Sequence, residues 1–138
     1  MYESDISLEQ KILSEHYHGK PVGDINVTFF DIEVDYDKFQ GYSKVKSPYA
    51  PINSISLYHM NTQTRVIFAI PPQNSPFAPT DRKYTIDDIS ENVTKFATVI
   101  LCHNERDLLD KFLHEIRDTD LLSGWNSDFF DMPYIYKR

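Results

Sequence analysis

The apolar positions change period several times along the chain, and each change predicts an element. Residues 26–35 (NVTFFDIEVD) concentrate β-branched and aromatic side chains and predict a buried strand. Residues 52–60 and 65–70 have the same character. The turn-like Asn61-Thr-Gln-Thr64 between them predicts a hairpin. Two further strands are expected at 95–102 and 121–124. Helical spacing appears at 7–17, where Leu8, Ile12 and Leu13 recur before Gly19, Pro21 and Gly23 stop the pattern. It returns at 85–93, where Ile86, Ile89 and Val93 predict one short helix. The strongest stripe joins Leu108, Leu109, Phe112, Leu113 and Ile116 on a helix over 104–117. Asn104 can cap that helix, Glu105 and Asp107 lie in its first turn and Arg117 in its last. Residues 131–138 open like another helix, with Pro133 in the tolerated first turn. The stretch 37–51 is a polar loop, and 71–79, with four prolines, is an irregular excursion.

This order predicts an α/β fold with a mixed sheet and flanking helices. The strands at 26–35, 52–60 and 65–70 should form an antiparallel meander. The strand at 121–124 should run parallel to the first, with the 104–117 helix packed on the sheet. The chain stops in the middle of its last element, so the fold is expected to be incomplete at the C-terminus.

Composition narrows the function. The 138 residues suffice for one domain with a core, and nine Phe, nine Tyr and one Trp exclude a disordered tail. A net charge of −7 argues against a module that grips nucleic acid through a global basic field. It leaves room for an acidic site working through bound cations. The single cysteine, Cys102, excludes an internal disulfide and a cysteine-based zinc site and fits a reducing compartment. The acidic start, Met1-Tyr-Glu-Ser-Asp5, does not look like a signal peptide, and no apolar run approaches the ~20 residues that span a bilayer. A soluble, intracellular protein without a membrane partner is expected.

The densest chemistry lies in Phe29-Phe-Asp-Ile-Glu-Val-Asp35. Alternation along a strand puts Asp31 and Glu33 on one face and Phe30, Ile32 and Val34 on the other. Two carboxylates on one face of an apolar strand are costly unless a positive charge sits between them, and a hard divalent cation is the usual partner. The bland alternative is a strand end reaching solvent, with Asp35 and Asp37 continuing an acidic loop. The second feature is Ser123-Gly-Trp-Asn126 followed by Phe130-Asp-Met-Pro-Tyr-Ile135. Asn126 and Asp131 then follow the carboxyl end of a strand, where ligands gather in open α/β sheets. Alternatively, Asp131 is an N-cap without further chemistry.

Taken together, these two segments resemble the Exo I and Exo II motifs of family B DNA polymerases, most closely those of T-even-type phages. The likeness extends to Tyr2-Glu-Ser-Asp-Ile6, to Pro51-Ile-x-x-Ile-Ser56 and to His103-Asn-Glu-Arg-Asp-Leu108, all in family order. The resemblance implies a ribonuclease-H-like 3′→5′ proofreading exonuclease domain that uses two Mg²⁺ or Mn²⁺ ions to hydrolyse the 3′-terminal phosphodiester of DNA. Residues 1–25 would be a lead-in from a preceding polymerase region, and 26–138 a partial exonuclease domain. By position, Asp31, Glu33 and Asp131 are the implied catalytic and metal-binding carboxylates. Asn126 and Phe39 are the implied contacts to DNA. The implied partners are a single-stranded 3′ end, primer–template DNA and the remainder of the polymerase. A phage protein of this kind would work in the bacterial host cytoplasm.

The family's Exo III motif, Tyr-x₃-Asp, is expected after Exo II and is absent there. Tyr84-Thr-Ile-Asp-Asp88 has its spacing but precedes Exo II and reads as coincidence. A fragment with weak metal binding and little turnover is therefore expected. The alternative is a non-catalytic structural or single-stranded-DNA-binding piece of a split or truncated polymerase. His16, His18, His59, His103 and His114 share no ligand spacing, Cys102 reads as core, and Trp125 as packing beside the site.

Overall fold

A computed structural model of the chain describes residues 6–21, 23–37, 39–75, 83 and 85–138. Its centre is a five-stranded sheet built from β1 (Val27–Val34), β2 (Ile52–His59), β3 (Thr64–Ala69), β4 (Thr98–Leu101) and β5 (Leu121–Ser123), in the order β4-β3-β2-β1-β5. The pairs β1–β2 and β2–β3 are antiparallel, whereas β3–β4 and β1–β5 are parallel. The expected meander, the parallel final strand and the hairpin are all present. Gln63 takes a positive φ of 56° in the hairpin turn.

Alternation sorts the sheet into two faces. Phe30 and Ile32 of β1, Ile55 and Leu57 of β2, and Val66 and Phe68 of β3 are buried in one core. Helix α3 (Glu105–Glu115) adds Leu108 and Phe112, and the Phe112 ring lies 5.9 Å from that of Phe30. Asn104 accepts from the Asp107 amide, the cap expected from the sequence. Leu113, assigned to the apolar stripe, is exposed instead. The fully buried stripe is Leu108 and Phe112 alone, a narrower line than the sequence pattern suggests.

Helix α1 (Leu8–Tyr17) forms with a Ser7/Gln10 capping box, yet it buries none of its residues. The single helix expected over 85–93 is corrected to two short pieces, a 3₁₀ turn at Ile86–Asp88 and helix α2 (Glu91–Thr94). Ser90 separates them because its side chain caps the Asn92 amide, and a capping residue takes extended rather than helical backbone angles. The proline-rich stretch contributes a 3₁₀ turn at Pro72–Asn74, and 76–80 lie outside the described residues. Cys102 is buried, as expected, and its burial raises the thiol pKa. No helix among the described residues is long and apolar enough to cross a membrane.

The chain ends in helix α4 (Asp131–Lys137), which fastens separate parts of the fold. Arg138 beyond it makes a two-pronged pair with Glu105, with Nε–Oε1 at 2.8 Å and Nη2–Oε2 at 2.6 Å. Glu105 also accepts from the Ile52 amide at 2.9 Å, tying α3 to the start of β2. Arg138→Ala should lower the free energy of unfolding by about 1.5–3 kcal/mol, the range for a hydrogen bond to a charged partner. Urea unfolding with far-ultraviolet circular dichroism measures it, and a difference within a few tenths would show the pair to be idle.

Candidate active site

The site begins with β1. Phe29, Asp31 and Glu33 are exposed on the face opposite the core, as alternation requires. Pairing sets their neighbours on the sheet: Phe29 is opposite Tyr58, Asp31 opposite Ser56 and Glu33 opposite Ser54. In the next strand, Arg65 is opposite Tyr58 and its guanidinium carbon stands 4.9 Å from the Tyr58 ring centre. Phe29, Asp31, Ser56, Tyr58 and Arg65 help line a groove of about 390 Å³.

The second half of the site follows β5, which pairs with β1 only as far as Ser123 opposite Phe29. Beyond it the chain leaves the sheet at Gly124, whose position admits no side chain: a Cβ would lie 2.3 Å from the Phe30 carbonyl oxygen. Asn126 then adopts a positive φ of 56°, a conformation Asn tolerates better than most residues. Its carbonyl accepts from the amides of Phe129 and Phe130 at 3.0 and 3.1 Å. A depression of about 600 Å³ lies along this turn. Trp125 is 92% exposed, which corrects the expectation that it packs beside the site.

The turn delivers Asp131 to β1. With β5 ended, the Ile32 N–H has no strand partner on that side, and Asp131 Oδ1 accepts from it at 3.1 Å. Asp131 is only 3% exposed. It is not the N-cap of α4, a position that falls to Phe130. Asp131 is the first residue of the helix, and its carboxyl caps a strand edge instead. Burial raises its pKa above the ordinary 3.8, the Ile32 amide opposes that rise, and the negative charge of Asp31 adds to it. Among the described residues, no three His, Cys, Asp or Glu side chains assemble a metal-holding group.

Asp131 makes stability depend on pH in a defined direction. Its folded pKa is raised, so between 3.8 and that raised value the native state binds more protons than the unfolded one. Its contribution to stability is then greatest below 3.8 and falls as pH rises through the raised pKa. Urea midpoints for the wild type and Asp131→Asn, followed upward from that pH, should show this fall in the wild type only. Equal slopes would remove Asp131 as its source.

The loop after β1 carries Phe39, 86% exposed, whose amide donates to Asp37 Oδ1 at 2.8 Å. Two contributors were missed in the sequence. Tyr134, one turn beyond Asp131, is fully buried, and Glu105 binds Ile52 and Arg138. Glu105 lies in a segment the sequence flagged, but pairings across 33 and 53 residues leave no local trace. His59 lies 2.9 Å from Thr28 Oγ1 through Nδ1 and 3.2 Å from Glu115 through Nε2, a structural setting. Tyr84 lies outside the described residues, and Asp88 accepts from the Thr85 amide at 2.8 Å.

Residues 2–138 match the family described as DNA polymerase family B, exonuclease domain. The chain belongs to that family. Its mixed sheet with flanking helices is the ribonuclease-H-like fold expected of such a domain. A DNA-directed DNA polymerase of Escherichia phage RB69 is 28% identical over 128 residues, covering 83% of this chain and 14% of the relative. The chain thus spans about a seventh of the length of that polymerase.

Proposed function

We propose that this exonuclease domain removes nucleotides from the 3′ end of DNA as the proofreading portion of a replicative polymerase. The observation that carries the reading is Asp131 held against β1 by the Ile32 amide, the residue that follows Asp31. The Ile32 amide that Asp131 takes follows Asp31 directly on β1, and Glu33 shares the face of Asp31, which supports the reading without a closed cluster of the three. Carboxylate oxygens are hard donors that suit Mg²⁺ or Mn²⁺. Burial and the neighbouring charge both disfavour an ionised Asp131, and a divalent cation would reverse that balance. The donor chemistry therefore fits the two ions the family implies, with Asp31, Glu33 and Asp131 as the residues to hold them. When bound, such ions stabilise charge developing at the scissile phosphodiester and ease deprotonation of the attacking water.

The chain's own residues have separate tasks in this reading. Asp31 and Glu33 present oxygens from the rigid strand, while Asp131 presents one oxygen and spends the other on Ile32. Asn126, in the turn after β5, and Phe39, in the loop after β1, are both exposed and would meet the DNA end, Phe39 by stacking. Residues 1–25 act as a lead-in, a role supported by a helix α1 that buries nothing. The partners are a single-stranded 3′ end, primer–template DNA and the remainder of a polymerase, in a bacterial host cytoplasm.

The test is Mn²⁺ binding, followed by the loss of the free-ion paramagnetic resonance signal, alongside release of mononucleotides from 3′-labelled single-stranded DNA. Weak binding and slow release are expected. An absence of both at saturating Mn²⁺ would favour the non-catalytic alternative.

A further inference from the structure

The loop 39–50, between β1 and β2, has little secondary structure of its own. Its bridges are isolated ones at Asp37–Gly41 and Lys44–Ser47. Its outer side, with the adjoining Tyr36, displays three exposed aromatic rings, Tyr36, Phe39 and Tyr42, and the Tyr36 and Tyr42 ring centres are 5.2 Å apart.

Within the loop the Tyr49 hydroxyl donates to the Gly41 carbonyl, and further anchors come from α4 and its end. The Tyr134 hydroxyl donates to the Ala50 carbonyl at 2.6 Å and lies 2.7 Å from Ser43 Oγ. Ser43 Oγ in turn accepts from the Ala50 amide at 3.3 Å. Lys137 Nζ donates to the Val45 carbonyl at 2.8 Å, and Arg138 Nη1 to the Pro48 carbonyl at 2.9 Å. The other end of the same helix is Asp131, fastened to Ile32 at 3.1 Å.

Asp131 and Tyr134 are three residues apart and so share one face of the helix. Both are buried, and the Phe130 ring packs 5.4 Å from that of Tyr134. The seven-residue helix is thus fastened at both ends, to β1 through Asp131 and to the loop through Tyr134. A shift of the Asp131 carboxyl therefore reaches Ser43 and Ala50 through one helical turn.

We propose that Tyr134 is a positioning residue that couples cation loading at Asp31 and Asp131 to the order of the loop 39–50 and its aromatic edge. The proposal rests on the exonuclease reading above. Linkage makes the coupling reciprocal: an ordered loop favours the loaded carboxylates by the factor with which loading favours the ordered loop. In function, the aromatic edge would be firm only when the hydrolytic site is charged with metal.

The experiment uses the full 138-residue chain. Mn²⁺ affinity is read from the resonance of the free ion, and the order of 39–50 from amide hydrogen exchange by mass spectrometry with and without Mn²⁺. The variants are Tyr134→Phe, which keeps the ring, Ser43→Ala, which leaves Tyr134 untouched, and Asp31→Ala/Glu33→Ala. Near-ultraviolet circular dichroism checks that each is folded.

In the wild type, Mn²⁺ should slow exchange in 39–50. Tyr134→Phe should weaken Mn²⁺ binding about 5-fold or more, the lower end of ordinary coupling between sites, and abolish the Mn²⁺-dependent slowing. Ser43→Ala should do the same to a smaller extent. Faster loop exchange in Tyr134→Phe with unchanged Mn²⁺ affinity would overturn the proposal, because a merely structural tyrosine gives that pattern. Mn²⁺ binding by the wild type that leaves loop exchange unaltered would refute the coupling and leave the exonuclease reading standing. No Mn²⁺ binding by the wild type would remove that reading, and the coupling with it.

Discussion

Gly124→Ala is expected to lower the free energy of unfolding by about 3 kcal/mol, the upper end of the range for an overpacked site. The new methyl would stand 2.3 Å from the Phe30 carbonyl oxygen and 3.2 Å from Ser127 Cβ. A backbone carbonyl inside a sheet cannot rotate aside as a side chain can. Relief must come from moving β1 or from displacing the chain that leaves β5. The second is easier, because β5 is a three-residue edge strand. Displacement carries Asp131 away from Ile32, so the Ile32 amide loses its acceptor and should lose protection from hydrogen exchange. Urea unfolding and exchange at that amide read the two effects together. A variant with wild-type stability and a protected Ile32 amide would show that the sheet edge yields freely, contrary to this account.

Asp31→Ala/Glu33→Ala is expected to abolish Mn²⁺ binding and to lower mononucleotide release by at least about 10³-fold, since members of a catalytic unit fail together. Both side chains are exposed on β1, so the double substitution should leave the fold intact. The unmutated chain should itself be slow, because among the described residues no three ligating side chains assemble a metal-holding group. The variant also carries an internal check. Removing the Asp31 charge takes away one contribution that raises the Asp131 pKa, so the Asp131 carboxyl should titrate lower than in the wild type. Carboxyl carbon shifts followed by nuclear magnetic resonance would record this. Nucleotide release that persists in the double variant would place the chemistry elsewhere in the chain.

The sequence by itself determined the parts whose physics is local. Alternation in 26–35 was enough to place Phe30 and Ile32 inward and Asp31 and Glu33 outward, because side chains on a strand have a period of two. The Asn104 cap and the Leu108–Phe112 stripe defined α3 for the same reason: each depends on neighbours one turn away. The run of motifs was legible as the family, since it is written in residue types and their order. The same local logic failed where two weak signals competed, as at Ser90, whose cap divided a helix that three apolar positions had suggested.

Only the tertiary structure decided what Asp131 does. Read locally, an Asp before Met132-Pro133 is as good a cap as a ligand. The choice depends on whether β5 ends early enough to leave the Ile32 amide open, 99 residues back along the chain. Trp125 likewise looked like packing because tryptophan is large and apolar, yet it is 92% exposed in the turn that leaves β5. The anchoring of the 39–50 loop by Tyr134, and the pairing of Glu105 with Arg138, join segments far apart in sequence. Such contacts leave no periodicity to read. They exist because the parallel β5–β1 pairing brings the last quarter of the chain back beside the first strand, a choice made by burial across the whole sheet.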